Sequence, residues 1–341
     1  MKIACVIAAW LMLFANAHSA EVRLVSVKEN DNYTSTDPNC NIVLSGVIDK
    51  GDAKRLSAVI SENLIDSDRM RKVFFPVICM NSPGGSFTEA IKIISIIDDL
   101  AIGTMVRNGD KCESACALAF MAGNYPEEGN TYPWRMMHPG ASVGFHAPDL
   151  TLAPGQYNER DVARAYQVAL QTVSQTIEKL VMESIDGNRR MAPSLLAAML
   201  ATPADQMHRV DTVDKAGRWG ITIVSVGREK QLSDQSLVRA CANMRAWNVD
   251  ESAYSFGEPL HLNAERGSDF SYENLSDGRI RILFFGMYVE GCEFSIPANS
   301  KTLGGKKVMI SAVDDIGSVD HFGLVDASVF HDPRTKITDL Q

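Results

Sequence analysis

The order of apolar and polar positions divides most of the chain into short strands and amphipathic helices. Three short apolar runs alternate with segments that have apolar residues at helical spacing; the runs are residues 41–49, 73–80 and 102–106, and the helical segments are residues 52–64 and 86–100. Strands that alternate with helices predict βαβ units and a mostly parallel sheet covered on both faces. The pattern therefore predicts one α/β domain over residues 40–226.

Two further changes in the pattern set the remaining organisation. Residues 157–185 carry apolar side chains at helical spacing and are predicted to form one long amphipathic helix. Beyond about residue 227 polar turns and short strands predominate, which predicts a small β-rich domain over residues 235–341. A chain of 341 residues also exceeds the roughly 100–200 residues typical of one domain, so two domains are expected.

The first twenty residues have the character of a secretory signal peptide. Lys2 is followed by an apolar stretch from Ile3 to Phe14 that is too short to span a bilayer and is followed by small residues. Cleavage is expected after Ala20, with Ala17 as the alternative, and residues 21–39 would form an N-terminal segment. The sequence therefore predicts a periplasmic or secreted protein.

Charge and cysteine content narrow the classes of partner and site. The net charge of -9 opposes binding to nucleic acid or anionic lipid, because both require clustered Lys and Arg. Outside the leader lie Cys40, Cys79, Cys112, Cys116, Cys241 and Cys292, an even number that predicts disulfides in an oxidising compartment. Only "CESAC" has close spacing, without a second short-spaced pair, so neither a metal nor another cofactor is expected.

The cysteine pairing is predicted only in part. Cys241 and Cys292 are the two beyond the predicted boundary, and a small β-rich domain benefits from a crosslink, so they are expected to pair. The other four leave alternatives open. Bridges could clamp the turn around Ser114 to the sheet or to itself, or Cys116 could be a buried thiol.

The segment "NSPGGS", residues 81–86, lies between a predicted strand and a predicted helix. Pro83 fixes φ, and Gly84 and Gly85 permit a conformation in which a peptide N–H points outward. An outward N–H near the start of a helix can receive an oxyanion. The alternative is a plain glycine-rich turn in which Ser86 caps the helix.

Ser114 and His146 are candidates for a nucleophile and its base. Ser114 precedes the apolar run "ACALAFMAG", at the start of a predicted helix where N–H groups lack partners; Ala115 would offer one of them. The alternative is that Ser114 only caps this helix. His146 ends a short predicted strand, and histidine is the side chain that most often serves as a general base. It is preferred over His138, which the pattern places in an irregular loop.

Together these segments resemble the Clp protease proteolytic-subunit family, within the wider ClpP/crotonase fold. The resemblance covers about residues 40–226 and depends on "NSPGGS", "ESACALAFMAG" and "GFHAP" in that order. It implies Ser114 as nucleophile, His146 as base, and the N–H groups of Gly84 and Ala115 as oxyanion donors. With a signal peptide, "CxSAC" is similar to the exported bacterial Clp-like branch.

The third member of a triad is less sharply indicated. By the resemblance an aspartate should precede a helix and a strand, and Asp205, Asp211 and Asp214 all do so. Asp211 has the position of a helix cap and Asp214 would lie within the helix, so Asp205 is preferred. Residues 124–140 form a longer connection than the family pattern implies, and this connection is predicted to be a loop able to cover the site.

These observations predict an exported serine hydrolase, an ATP-independent peptidase that cleaves peptides or unfolded chains. No ATPase partner is expected, because an exported protein meets essentially no ATP. The resemblance also implies a homo-oligomer joined through the helix at residues 157–185, with a helix that merely covers the sheet as the alternative. Rival functions are acyl-CoA chemistry, which the export signal disfavours, and a catalytically inactive Clp-like binding module of the cell envelope.

Overall fold

The computed structural model describes most of the chain. The described residues are 19–30, 37–65, 71–127, 130–148, 155–182, 190–226, 233–253, 270–284, 290–295, 308–314, 319–325 and 327–340. Helices and several β-sheets alternate over these residues, so the fold is mixed α/β, as predicted.

The elements follow the predicted alternation closely as far as α3. In chain order they are β1 (Glu21–Leu24), β2 (Ile42–Ser45), α1 (Asp52–Asn63), β3 (Val77–Asn81), α2 (Phe87–Asp99), β4 (Gly103–Val106), β5 (Lys111–Glu113), α3 (Ala115–Phe120), β6 (Asn124–Glu127), β7 (Asn130–Pro133), β8 (Arg135–Met137), β9 (Ser142–Phe145), α4 (Glu159–Thr176), α5 (Pro193–Ala201), β10 (His208–Arg209), α6 (Val213–Arg218), β11 (Thr222–Ile223), α7 (Asp234–Asn248), β12 (Phe270–Asn274), β13 (Ile280–Phe284), β14 (Glu290–Ser295), β15 (Val308–Asp314) and β16 (Val319–Val325). A π-helical turn, Ile177–Met182, continues α4.

The main sheet has six strands in the order β1-β2-β3-β4-β8-β11. β1 is antiparallel to β2, and the remaining neighbours are parallel. Because the parallel strands follow one another across the sheet in chain order, right-handed crossovers place their connecting helices on the same face. Side chains such as Leu44, Ile78 and Met80 share one buried core with α1, α2 and α3.

The opposite face of the main sheet is also buried, but without helices among the described residues. Val77, Cys79 and Met136 pack there with Trp134 and with residues near Cys40. The disulfide between Cys40 and Cys79 fastens the segment that precedes β2 to this face. The prediction of a sheet covered on both faces is therefore correct, although only one cover is helical.

Residues 124–140 differ from the predicted loop. The described part forms the β6–β7 hairpin and then β8, which joins the main sheet. The hairpin lies at the amino end of β4, since Asn124 N–H donates to Ile102 O at 3.1 Å and Thr104 N–H donates to Trp134 O at 3.0 Å. Ser114 lies near the carboxyl end of β3, so this hairpin does not cover it, and that prediction was wrong. The Tyr125 and Trp134 rings, 6.2 Å apart, pack together in the core on the face of the main sheet opposite α1 and α2.

A second sheet has the order β10-β9-β5 and carries the ends of three segments of interest. β9 is parallel to β5 and antiparallel to β10. The outer edge of β5 is joined to the end of β3, because Ser82 N–H donates to Lys111 O and Glu113 N–H donates to Ser82 O. The glycine-rich segment after β3 is thereby brought against the end of β5.

The helix predicted over residues 157–185 is confirmed from Glu159 to Met182, and residues 183–185 lie outside the described residues. Most of α4 is exposed, including the apolar side chains of Val162, Tyr166 and Leu170. Within the described residues, no helix has the length and apolar character needed to cross a membrane.

The region beyond residue 233 begins with a helix that the pattern did not predict. α7 packs on a five-stranded antiparallel sheet, β12 to β16 in chain order, and shares a second core with it. Cys241 on α7 is bonded to Cys292 on β14, which confirms that predicted pair. The chain end then returns to the first core, where Ile337 and Leu340 are buried.

The contacts of Ala20 bear on where the predicted leader would be cleaved. Residues 1–18, which include most of the predicted leader, lie outside the described residues. Ala20 is buried, and its N–H donates to a carboxylate oxygen of Asp52 at 3.2 Å. Cleavage after Ala17 would retain this contact, whereas the preferred cleavage after Ala20 would remove it.

Candidate active site

Ser114 occupies a sharp turn between β5 and α3. Its backbone has φ 56° and ψ -126°, a positive φ that is uncommon for residues other than glycine. Although it stands at the N-cap position, its side chain makes no capping hydrogen bond. The hydroxyl has no hydrogen-bond partner among the described residues, and the residue is partly exposed. The interpretation of Ser114 as an ordinary cap is therefore not supported.

The chain around Ser114 is fastened on both sides. Ser114 N–H donates to Gly144 O at 3.0 Å, and Leu118 N–H donates to Ser114 O at 3.2 Å. Cys112 and Cys116 are bonded to each other across the turn, with their Cα atoms 5.1 Å apart, and both are buried. Of the pairings left open by the sequence, the one that clamps the turn to itself is thus observed, and Cys116 is not a free thiol.

The glycine-rich segment packs directly on this turn. Gly84 has φ 98°, and a Cβ added there would lie 2.7 Å from both Ser114 Cβ and Glu113 O. Gly85 has φ 139°, and a Cβ there would lie 2.2 Å from Ile48 O. Only glycine permits these two approaches, so Gly84 packs against the serine turn while Gly85 packs against the backbone of Ile48.

The N–H groups of this segment differ from the prediction. Gly84 N–H donates to Ser82 Oγ at 3.0 Å, so it is not available to an oxyanion in this arrangement. Gly85 is exposed, and its N–H has no acceptor among the described residues because Ile48 pairs instead with Gly84 O and Ser86 N–H. Ala115, the first residue of α3, has no intrahelical acceptor. Gly85 and Ala115 are therefore the better candidate donors.

His146 directly follows β9, the strand that pairs with β5. Glu113 is opposite Gly144 in the parallel β5–β9 pair, and neighbouring strands are about 4.8 Å apart. Ser114 and His146 thus follow adjacent strands at the same end of the second sheet. His146 Nδ1 lies 2.7 Å from the carbonyl oxygen of Ala147. A carbonyl only accepts, so Nδ1 carries the proton and Nε2 of the neutral ring is left as an acceptor.

The triad as predicted is not closed by hydrogen bonds. Within the described residues, none joins Ser114 to His146 or His146 to Asp205. Asp205 lies in the exposed segment between α5 and β10, which Ala147 approaches by donating its N–H to Thr202 O at 2.9 Å. Continuing the β9–β10 register places Met207 opposite His146. The carbonyl of Ala147 thus takes the orienting position that was expected of Asp205.

The two alternative aspartates have other partners. Asp211 forms an ion pair with Lys215 at 2.7 Å, and Thr212 caps α6 in its place. Asp214 lies within α6, as predicted, and accepts hydrogen bonds from Trp247, Ser252 and Ala253. Asp214 therefore links α6 to the segment after α7 and is not available to His146.

The competing His138 directly follows β8 of the main sheet. The reason for preferring His146 was therefore wrong, because each histidine ends a strand. His138 is buried, and its Nε2 lies 3.5 Å from Asp37 Oδ1, while Ser225 Oγ donates to Asp37 Oδ2 at 3.3 Å. His146 is the histidine that the second sheet places beside Ser114.

A third histidine near the site went unnoticed in the sequence. His208 on β10 is opposite Phe145, and its ring centroid lies 5.6 Å from that of Trp219. Burial lowers the pKa of His208, the charge of Lys215 lowers it further, and Asp211 opposes the change. In the described parts of the chain, no group of three His, Cys, Asp or Glu side chains is arranged to hold a metal.

No protein-family model matches this chain, and no curated protein matches it. The interpretation of the site therefore depends on its geometry and chemistry.

Proposed function

We propose that the chain is a serine hydrolase, and specifically a peptidase of ClpP/crotonase-like fold. The observation that supports this most directly is the Ser114 turn, where a positive φ presents a hydroxyl that makes no capping bond. Strained backbone of this kind persists only where the surroundings impose it, and it concentrates at functional sites. Gly84 packed against the turn and His146 at the end of the adjacent strand are the neighbours that this proposal uses.

In this proposal the Ser114 hydroxyl attacks an amide carbonyl and His146 Nε2 takes its proton. The N–H groups of Gly85 and Ala115 stabilise the tetrahedral oxyanion. His146 then gives the proton to the leaving amine, and water releases the acyl group by the reverse steps. The Ala147 carbonyl holds the imidazole in the tautomer that these transfers need.

The substrates and partners of this site are proposed as short peptides or unfolded chains, without an ATPase. The three disulfides indicate an oxidising compartment, either periplasmic or extracellular. The exposed apolar side chains of α4 favour a homo-oligomer joined through this helix.

Labelling with a fluorophosphonate probe tests the proposal, because only an activated serine reacts quickly. The oxidised wild-type protein should be labelled at Ser114, and Ser114→Ala should lower the rate by at least about 10⁴-fold. Ser225→Ala is a matched control, since Ser225 has nearly the same φ, 58°. It should be labelled as fast as the wild type.

The second candidate function is a binding module without turnover. It is favoured by the missing Ser114–His146 hydrogen bond among the described residues and by the carbonyl, in place of a carboxylate, behind His146. A wild-type protein that remains unlabelled while folded and oxidised would support this function and contradict the hydrolase.

A further inference from the structure

Glu113, the residue directly before Ser114, carries a charge that the proposed mechanism does not use. Glu113 Oε1 accepts from Arg209 Nη1 at 2.7 Å. The side chain of Glu113 is 15% exposed and that of Arg209 is 49% exposed. The ion pair thus lies next to the candidate nucleophile, with the Glu113 carboxylate mostly buried and the Arg209 side chain about half exposed.

The strand register explains how the two side chains meet. Glu113 on β5 and Arg209 on β10 are both opposite Gly144 on β9, which lies between them. Because Gly144 has no side chain, the pair can cross the middle strand. A Cβ at Gly144 would lie 2.4 Å from Met207 Cγ and 3.7 Å from Glu113 Cγ. Arg209 also donates to the hydroxyl of Ser142 on β9, so one guanidinium contacts all three strands.

Two of the three strands end at the proposed catalytic residues, and the third pairs with β9. Ser114 follows β5, His146 follows β9, and the segment with Met207 leads into β10. The described part of β10 is only two residues long, so few ladder hydrogen bonds hold it in register with β9. A side-chain crosslink over Gly144 therefore adds a constraint where the backbone provides little.

We propose that Glu113 and Arg209 are positioning residues that fix the distance between Ser114 and His146. This inference depends on the proposed hydrolase function, since it assigns these residues a role in the same site. Glu113 directly precedes the nucleophile in the chain, and Gly144 O accepts a hydrogen bond from Ser114 N–H. A shift of Glu113 or Gly144 would therefore displace the Ser114 turn. A displacement of about 1 Å can lower a rate about 100-fold.

The test uses the full, oxidised protein and an uncharged fluorophosphonate, with the labelling rate separated into probe affinity and maximal rate. Glu113→Gln and Arg209→Gln should each lower the maximal rate by about tenfold or more, with affinity and melting temperature little changed. The double variant should be no slower than either single variant, because both remove the same crosslink.

Asp110→Asn is the matched control. Asp110 pairs with Arg107 at 3.0 Å, and the side chains are 16% and 42% exposed, close to the values for Glu113 and Arg209. This pair lies within one turn before β5 and crosses no strand, so the variant should be labelled at the wild-type rate. Equal loss in Asp110→Asn, additive loss in the double variant, or no loss in the single variants would each overturn the inference.

Failure of the hydrolase function would be distinguishable. If the wild-type protein is not labelled, the ring resonances of His146 in NMR spectra become the deciding measurement. Glu113→Gln and Arg209→Gln should shift them and Asp110→Asn should not. Unchanged resonances in all three variants would refute the positioning role independently of activity.

Discussion

Two serine turns in the α/β region have nearly the same positive φ and different surroundings. Ser114 has φ 56° and Ser225 has φ 58°, and both follow a short strand. The Ser114 hydroxyl makes no capping bond and adjoins a glycine-rich segment. The Ser225 hydroxyl donates to the carboxylate of Asp37, which in turn lies 3.5 Å from His138 Nε2.

A serine, an aspartate and a histidine that lie close together form a catalytic triad only when they are in the right order. In the Ser225 cluster the aspartate stands between the serine and the histidine, so the hydroxyl proton faces a weak base and the imidazole cannot remove it. This arrangement holds the segment at residues 37–41 against the sheet. Among the described residues the Ser114 hydroxyl has no such partner, and His146, whose Nδ1 is held by a carbonyl, directly follows the next strand.

The largest difference is expected between the alanine variants of the two histidines. His146→Ala should lower fluorophosphonate labelling of Ser114 by about 10³-fold or more, because the general base is lost. His138→Ala should leave the labelling rate within about threefold, since His138 belongs to the Ser225 cluster. Equal losses in the two variants would mean that His146 has been assigned incorrectly as the general base.

Replacing Asp205 and Asp37 tests which group orients the general base. An aspartate that orients a catalytic histidine is worth about 10⁴-fold in rate. Because Ala147 O already accepts from His146 Nδ1, Asp205→Asn should lower the labelling rate by no more than about threefold. Asp37→Asn is the matched change in the other cluster and should also have little effect on labelling. A loss near 10⁴-fold in Asp205→Asn alone would restore the predicted triad.

The disulfides of the α/β region should separate stability from reactivity. Cys40 and Cys79 are 39 residues apart, whereas Cys112 and Cys116 are 4 apart. The chain-entropy relation gives about 4 kcal/mol for the longer loop and about 2 kcal/mol for the shorter one. The double variant Cys40→Ser/Cys79→Ser should therefore lose more stability in urea unfolding.

Reactivity should follow the opposite order. Cys112→Ser/Cys116→Ser removes the clamp around the nucleophile and should slow Ser114 labelling by about tenfold or more. The Cys40 and Cys79 variant should remain within about threefold of the wild type at a temperature where both are folded. Unchanged labelling in the Cys112 and Cys116 variant would show that this disulfide only stabilises the region.

The sequence predicts those features that local periodicity and strand ends determine. Alternating apolar runs identified β2, α1, β3, α2 and β4, and Ser114 and His146 follow the neighbouring parallel strands β5 and β9. The β6–β7 hairpin was missed because Tyr125 and Trp134 pack in the core beneath the main sheet, and this tertiary packing does not appear in the local pattern. α7 was missed because its polar residues resemble a turn-rich segment, and its buried side follows from packing on the second sheet.

Finer features of the site depend on single hydrogen bonds that no periodicity reports. Whether Gly84 or Gly85 offers an N–H is decided by the Ser82 hydroxyl, which accepts from Gly84. The group that orients His146 depends on the backbone conformation after β9, which places the Ala147 carbonyl oxygen against the imidazole Nδ1. "CESAC" indicated a bridge near Ser114, but spacing alone did not choose between the turn and the sheet as its anchor.

The smallest expected effect concerns backbone strain at the two serines. A residue other than glycine at such an angle costs about 1–3 kcal/mol, while glycine costs about 0.5–1 kcal/mol more than alanine through the entropy of the unfolded chain. Ser114→Gly should therefore be about 1 kcal/mol more stable than Ser114→Ala in urea unfolding. Ser225→Gly should gain a similar amount over Ser225→Ala, because both substitutions lose the bond to Asp37 equally. If the glycine variant gains at Ser225 and not at Ser114, the Ser114 turn relaxes once the hydroxyl is removed. The positive φ would then depend on the side chain of Ser114 and not on the disulfide and strands that enclose it.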